Sequence, residues 1–326
     1  MNNKINKYDY VIFHKGCLDG FSGFFILHKS GRIHKNAIIY PDVPSQKNPP
    51  NNIDNKNVII IDVAYKNDVL REIMLRANHV TFIDHHISIK DDVNKLILST
   101  ELKHKKNVII YDEKKSGASL TWKYFFPNKS VPLFVKYIED NDIGKWEMKH
   151  TLEFISGLQV NFNLDLSKQN IKKWDQLFDK STISYLINKG KTYKEYKDYL
   201  IDWNYTKYSL MQFPSELIYQ EYPQYFNKPG QYKAALYCGS GCPSGTEIGK
   251  KILESVNCDF AIMWIYNLDR KEYVLSFRSN KVDVGTIAKI FGGGGHTLAA
   301  ACSFSKNKYD ITDLFFENSL PRSYKK

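Results

Sequence analysis

The sequence predicts an α/β protein: a parallel, doubly wound domain, then a helical connector, then a smaller C-terminal α/β domain. Three observations carry that reading. Over residues 1–150, apolar β-branched runs alternate with amphipathic helical patterns, as strands buried on both faces of a parallel sheet require. From Leu152 to about Tyr225 the chain is rich in Lys, Tyr and Asn at helical spacing, with no clear strand. The turn cluster Asn227-Lys-Pro-Gly230 then opens a last segment with strands of its own, which sets the expected divisions at 1–150, 151–230 and 231–326.

Strands are expected at Tyr10–Phe13, Ala37–Tyr40, Val58–Ile61, Val80–Ile83 and Val108–Tyr111, where Val, Ile, Tyr and Phe concentrate between polar turns. Helices are expected at Gly20–Lys29, Asn67–Ala77, Gly117–Phe126 and Val131–Asp140, where apolar residues recur three and four apart. In the last segment Tyr232–Tyr237 reads as a strand, Phe260–Tyr266 and Tyr273–Phe277 as a hairpin around Asn267-Leu-Asp-Arg270, and Val282–Phe291 as a helix. Four glycines, Gly292–Gly295, end that helix ahead of an Ala/Cys run with the character of a buried strand. The connector tyrosines Tyr193, Tyr196, Tyr199, Tyr205 and Tyr208 are expected to pack; base stacking in a basic groove is the rival reading.

A length of 326 residues, 43% of them hydrophobic and 25% charged, excludes a disordered or collagen-like chain. No apolar run approaches the ~18–20 residues of a membrane span. The start MNNKINKYDY lacks the apolar core of a secretory leader, so a cytoplasmic protein with no membrane partner is expected. Cys17, Cys238, Cys242, Cys258 and Cys302 are odd in number, widely spaced and without a CxxC pair, which argues against a disulfide scaffold. The net charge of +11 suits a polyanionic partner such as nucleic acid or nucleotide, although a Lys- and Asn-rich coding bias yields the same sum.

Acidic and histidine residues recur where the N-terminal strands are expected to end. His14 closes the first, in His14-Lys-Gly-Cys17-Leu-Asp19-Gly20. Asp62 follows Val58-Ile-Ile-Ile61, and Asp84-His85-His86 follows Val80-Thr-Phe-Ile83. Ligand sites in open parallel sheets form at the carboxyl ends of strands, so these side chains are placed to converge. A lone Asp at a strand end is ordinarily a cap or turn residue, but three such ends carrying metal-ligand chemistry need another explanation. Carboxylates with imidazoles suit a pair of divalent cations such as Mn²⁺, which lower the pKa of a bound water and stabilise charge on a phosphoryl centre.

The segments FHKGCLDGFSG, IIIDVAY, FIDHH, DNDIGKW and GGGGHTLAAACSF, the last preceded by LSFRS, resemble the ordered motifs of the DHH phosphoesterase superfamily. The C-terminal pair resembles its type 1 DHH-associated domain, and the whole is most similar to nano-RNases of the NrnB type, from about Tyr10 to Phe304. The resemblance implies a divalent metal cofactor, two Mn²⁺ with Mg²⁺, Co²⁺ or Zn²⁺ as alternatives. It implies His14, Cys17, Asp19, Asp62, His85 and Asp142 as ligands, with Asp62 as the bridge. His86, with Asp84, would be the catalytic group facing the scissile phosphate. Asp140 and Asp142 flank Asn141 in the fourth motif; Asp142 fits the family's Asp-x-Gly-x-aromatic spacing better, leaving Asp140 at a helix end or behind the ligands. Cys17 departs from the family's usual carboxylate. As a thiolate it would favour Zn²⁺ or single occupancy, and as a buried small residue it would ligate nothing.

In the second domain the resemblance assigns Ser276, Arg278, Gly293, Gly294, Gly295 and His296 to gripping substrate across an interdomain cleft. Arg offers a phosphate a bidentate fork, and glycines offer bare N–H groups; a surface ion pair and a plain turn are the ordinary alternatives. The glycine-rich stretch Cys238–Gly245 is no P-loop, because Gly245 lies only four residues before Gly249 and Lys251 stands where Ser or Thr belongs. Its Cys238/Cys242 pair reads as structural. Ser116-Gly-Ala-Ser119 reads first as a helix cap, in a segment resembling one near the family's active site. The expected activity is a metal-dependent phosphodiesterase or exonuclease that cuts short single-stranded oligonucleotides to mononucleotides. A cyclic dinucleotide or nucleotide 3′-phosphate substrate, or nucleotide binding with weak turnover, is the alternative.

Overall fold

The computed structural model describes residues 7–316, apart from 45–47, 104, 106, 240 and 242. It comprises two compact units, Met1–Lys194 and Glu195–Lys326, taken here in turn.

In the first unit, β1 (Tyr8–His14), β2 (Ile33–Asp42), β3 (Asn57–Ile61), β4 (His79–Asp84) and β5 (Val108–Tyr111) form a parallel sheet in the order β2-β1-β3-β4-β5. The helices are α1 (Leu18–Lys29), α2 (Asn67–Arg76), α3 (Lys90–Leu98), α4 (Gly117–Phe125), α5 (Leu133–Asp142), α6 (Thr151–Asn161) and α7 (Lys168–Trp174). A longer α8 (Lys180–Asn204) begins in this unit. Alternation along the strands explains the double winding. Val11, Phe13, Ile59 and Ile61 pack in one cluster with α1, α4 and α5. Tyr10, Ile12, Val58 and Ile60 pack in another with α2 and α3. Fully burying each such side chain contributes roughly 1.5–3 kcal/mol, which is why these strands read as continuous apolar runs. Helix α3 was not legible in the sequence, because Lys90, Asp91, Asp92 and Lys95 dominate it and only Val93 and Leu96 are buried.

Register positions the site. Phe13 pairs with Ile61, and Ile61 with Ile83, so His14, Asp62 and Asp84 emerge together at the carboxyl edge of the sheet.

The second unit contains β6 (Tyr208–Phe213), α9 (Glu216–Glu221), β7 (Tyr232–Cys238), α10 (Gly245–Ser255), β8 (Phe260–Asn267), β9 (Glu272–Ser279), α11 (Val284–Ile290), β10 (Gly294–His296) and β11 (Ala299–Ser305). Its sheet runs β10-β11-β9-β8-β7-β6; β7 and β8 are parallel and the other neighbours antiparallel. Helix α10 connects the parallel pair and starts in a capping box between Ser244 and Glu247.

Two expectations about the connector are corrected here. Tyr208–Phe213 is a strand, because β7 supplies the backbone partners that its mixed sequence does not advertise. Tyr196 and Tyr199 are 63% and 58% exposed instead of packed, whereas Tyr205 and Tyr208 lie against the small cluster under α10. Cys238 is an exposed free thiol; Cys242 lies outside the described residues. Among the described residues no helix is long and apolar enough to cross a membrane.

Candidate metal centre

The centre is assembled from strand ends and two helix termini of the first unit. After β1 the chain turns at Gly16, with φ +69°, and enters α1 through Cys17. Helix α1 packs directly on the end of β1: a side chain at Gly20 would put its Cβ 2.7 Å from that of His14. This brings Asp19, in the first helical turn and 1% exposed, under the strand edge. Asp62 follows β3 with φ +63°, a left-handed conformation that Asp tolerates better than most residues, and its carboxylate is buried. Asp142 is the last residue of α5.

These side chains meet. His85 Nε2 is 3.2 Å from Asp62 Oδ1, 3.2 Å from Asp142 Oδ2 and 3.8 Å from Asp19 Oδ2. His14 Nδ1 is 3.3 Å from Asp62 Oδ2, and both atoms are buried without a hydrogen-bond partner among the described residues. Three ligand groups result, each with its donor atoms within 4.8 Å of one another: His14, Cys17 and Asp62; Asp62, His85 and His86; Asp19, His85 and Asp142. Asp62 is common to the first two, and His85 to the last two.

Electrostatics report a shortage of positive charge at this point. Burial, then the charges of Asp62 and Asp142, raise the Asp19 carboxyl well above its ordinary range. Burial and Asp62 lift Asp142 to about 6. Burial would lower His85, but Asp62, Asp19 and Asp142 outweigh it and bring the imidazole to about 9. Asp62 itself is held at about 2, since the imidazoles of His14, His85 and His86 overcome the cost of its burial. Burial, reinforced by Asp62, pushes the Cys17 thiol upward. A divalent cation would supply the missing charge and satisfy the orphaned nitrogen and oxygen, so the donor set fits one.

A supporting layer fixes these side chains. Asp19 accepts the N–H groups of Gly117 (2.6 Å) and Ala118 (3.0 Å) at the start of α4. Any side chain at Gly117 would stand 2.9 Å from both Asp19 Oδ2 and Asp62 Cβ. Ser116 caps α4, accepting the Ser119 N–H. The cap reading of that segment carried no sign of the Gly117 contact, which depends on a residue 98 positions away. Fully buried Asp84 accepts the backbone N–H groups of His85 and His86 and also His86 Nδ1, the last at 2.8 Å. Burial lowers His86, yet Asp84 more than compensates and raises it. Asp140 does not join the cluster: its carboxylate accepts the N–H groups of Glu147 and Met148 and the Thr151 hydroxyl, tying down the loop that follows Asp142.

The second-unit residues stand on β9 and β10. Arg278 donates to the Phe277 carbonyl (2.7 Å) and to Thr246 Oγ1 (2.5 Å), and meets no carboxylate among the described residues. Ser276 lies opposite Ala301 of β11, and exposed His296 opposite Ala299. Gly294 and Gly295 pair with β11, and a Cβ on Gly293 would overlap the Ala301 carbonyl, so close strand contact accounts for part of the glycine run. Gly294 has open space where its Cβ would be.

No family model matches the chain. Protein R106 of Acanthamoeba polyphaga mimivirus, described as uncharacterized, is 30% identical over 324 residues, spanning 93% of this chain and 70% of that protein. The chain belongs to the family of protein R106. Among solved structures, the pGpG-specific phosphodiesterase PggH of Vibrio cholerae is 15% identical with a TM-score of 0.48, over 93% of this chain and 95% of that one. An exopolyphosphatase-related protein of Bacteroides fragilis is 14% identical with a TM-score of 0.47, over 92% and 88%. Likenesses of this size leave the function to be argued from the chain's own residues.

Proposed function

We propose that this protein is a divalent-metal-dependent phosphoesterase of the DHH type that hydrolyses phosphodiester bonds in short oligonucleotides, releasing mononucleotides. The observation that carries the reading is the convergence of His14, Cys17, Asp19, Asp62, His85 and Asp142 in overlapping groups, with His14 Nδ1 and Asp62 Oδ2 buried and without a hydrogen bond among the described residues. His14, Cys17 and Asp62 would hold one ion, and Asp19, His85 and Asp142 with Asp62 the other. Such a pair, when bound, supplies a water of lowered pKa and positive charge at the phosphoryl oxygens. The protein's own groups then orient and protonate. Asp84 grips His86 Nδ1, which leaves Nε2 of this partly exposed ring to deliver a proton to the leaving oxygen. Arg278, which meets no carboxylate among the described residues, and His296 would hold substrate beyond the reacting phosphate.

The test is a substrate panel (a dinucleotide, longer oligonucleotides, cyclic dinucleotides, a nucleotide 3′-phosphate) run with Mn²⁺, Mg²⁺, Co²⁺ and Zn²⁺, with products identified by mass. Binding to every nucleotide without turnover of any would reject the hydrolytic reading. Within that panel, Arg278→Ala and His296→Ala are expected to raise KM for a dinucleotide about tenfold or more while sparing bis-p-nitrophenyl phosphate, since remote contacts act through binding. Equal losses on both substrates would move these residues out of substrate recognition.

Cys17 offers a separate check. If its sulfur ligates, Cys17→Asp shifts preference from Zn²⁺ towards Mn²⁺ and Mg²⁺, and alkylation of wild type is slower with metal than with chelator. Calorimetry showing that Cys17→Ala binds two ions as tightly as wild type would make the residue packing.

A further inference from the structure

We infer a second ligand site on the first unit, apart from the metal centre: a cavity of about 460 Å³ between the end of α4, the start of α5 and the start of α8, suited to a planar aromatic group carrying a phosphate, such as a nucleoside monophosphate. Its volume lies within the roughly 300–1,000 Å³ of small-molecule sites. Phe178 offers an exposed aromatic wall, backed by the buried Trp122, their ring centroids 6.0 Å apart at 42°. Leu133 and Phe178 are each 40% exposed, an apolar surface left open to solvent in an otherwise well-packed region. Lys129 and Lys180 also line the cavity; both are exposed and neither is in an ion pair among the described residues. No acidic side chain lines it. In addition, α5 opens after Pro132 with no side-chain cap and no acid in its first turn, which leaves its N–H groups unanswered by side chains.

The two halves of the site select the ligand together. An apolar molecule would leave Lys180 and Lys129, the latter's Nζ 5.3 Å from the Phe126 ring centroid, without a counter-charge, and a bare anion would leave the exposed Phe178 face uncovered. A base or similar ring against Phe178 and Leu133, with its phosphate towards Lys129 and Lys180, uses all of them. The position also connects to the metal centre. Helix α4 runs from Gly117, which holds Asp19, to Trp122 at the cavity; α5 runs from Leu133 at the cavity to Asp142 in the centre, about 13 Å by helical rise. An occupant that moves either helix moves a ligand residue. The site stands whether or not the centre hydrolyses phosphodiesters.

Calorimetry on the full chain in EDTA, with AMP, adenosine and inorganic phosphate as separate titrants, tests this directly. AMP is expected to bind at one site, with each half-ligand at least about tenfold weaker. Lys129→Glu with Lys180→Glu, and independently Leu133→Trp, which fills the cavity without changing charge, should each weaken AMP about tenfold or more. Asp62→Asn, which keeps the left-handed backbone, should leave AMP binding in EDTA unchanged. Unaltered affinity in the charge-reversed variant, failure of wild type to bind millimolar AMP, or loss of AMP binding in Asp62→Asn would overturn the assignment.

Discussion

Asp62→Ala is expected to reduce hydrolysis in saturating Mn²⁺ by at least ~10³-fold, as loss of a group acting chiefly in the transition state does. Both of its oxygens face imidazoles: Oδ1 lies 3.2 Å from His85 and Oδ2 3.3 Å from His14. Neither Asp19 nor Asp142 can stand in for it, because both approach the centre from the His85 side. The flanking imidazoles keep Asp62 ionised throughout the neutral range, so it serves the centre as a carboxylate at any working pH. Alanine at φ +63° also strains the backbone, which confounds lost chemistry with lost fold. Asp62→Asn separates them, because Asn accepts the left-handed conformation and keeps the shape. It should unfold at nearly the wild-type temperature and still lose about 10²-fold or more in rate. Activity above about 5% of wild type in either variant would remove Asp62 from the centre of the mechanism.

His86→Ala is the second large effect, a loss of about 10²–10⁴ in kcat, the range for a positioned general acid. Mn²⁺ affinity should change little, since His14, Cys17, Asp19, Asp62, His85 and Asp142 remain. Asp84→Asn should cost less, and it should also move the pH profile. Asp84 raises His86, so removing its charge lowers the imidazole pKa. Activity that requires protonated His86 then falls away at lower pH than in wild type. Kinetics from pH 5 to 9 on the three proteins, with Mn²⁺ titrations, decide the matter. A defect in His86→Ala that excess Mn²⁺ fully restores would make His86 a ligand and leave the proton donor elsewhere.

Some of this was legible because strands buried on both faces stop abruptly. Val58–Ile61 and Val80–Ile83 end at Asp62 and Asp84, and a parallel register brings successive strand ends to one edge, so convergence follows from pattern alone. Helix α3 was not legible because four of its nine residues are charged, β6 because β7 supplies the backbone partners its mixed sequence does not advertise, and β10 because Gly294-Gly-His296 reads as a turn.

The sequence by itself thus determined the two-layered alternation of strand and helix, the residues that close β1, β3 and β4, and the donor chemistry available at that edge. Those features depend on local periodicity, which a chain carries within any ten-residue window. Only the tertiary structure decided which donors meet. Asp140 and Asp142 are two residues apart on one helix and so point about 200° from each other, one into its own loop and one into the centre. Gly117 matters because Asp19 and Asp62 close on it from elsewhere in the chain. The cavity beside Trp122 exists because α4, α5 and α8 leave a gap where their ends meet. Such contacts join residues tens of positions apart, and no local pattern encodes them.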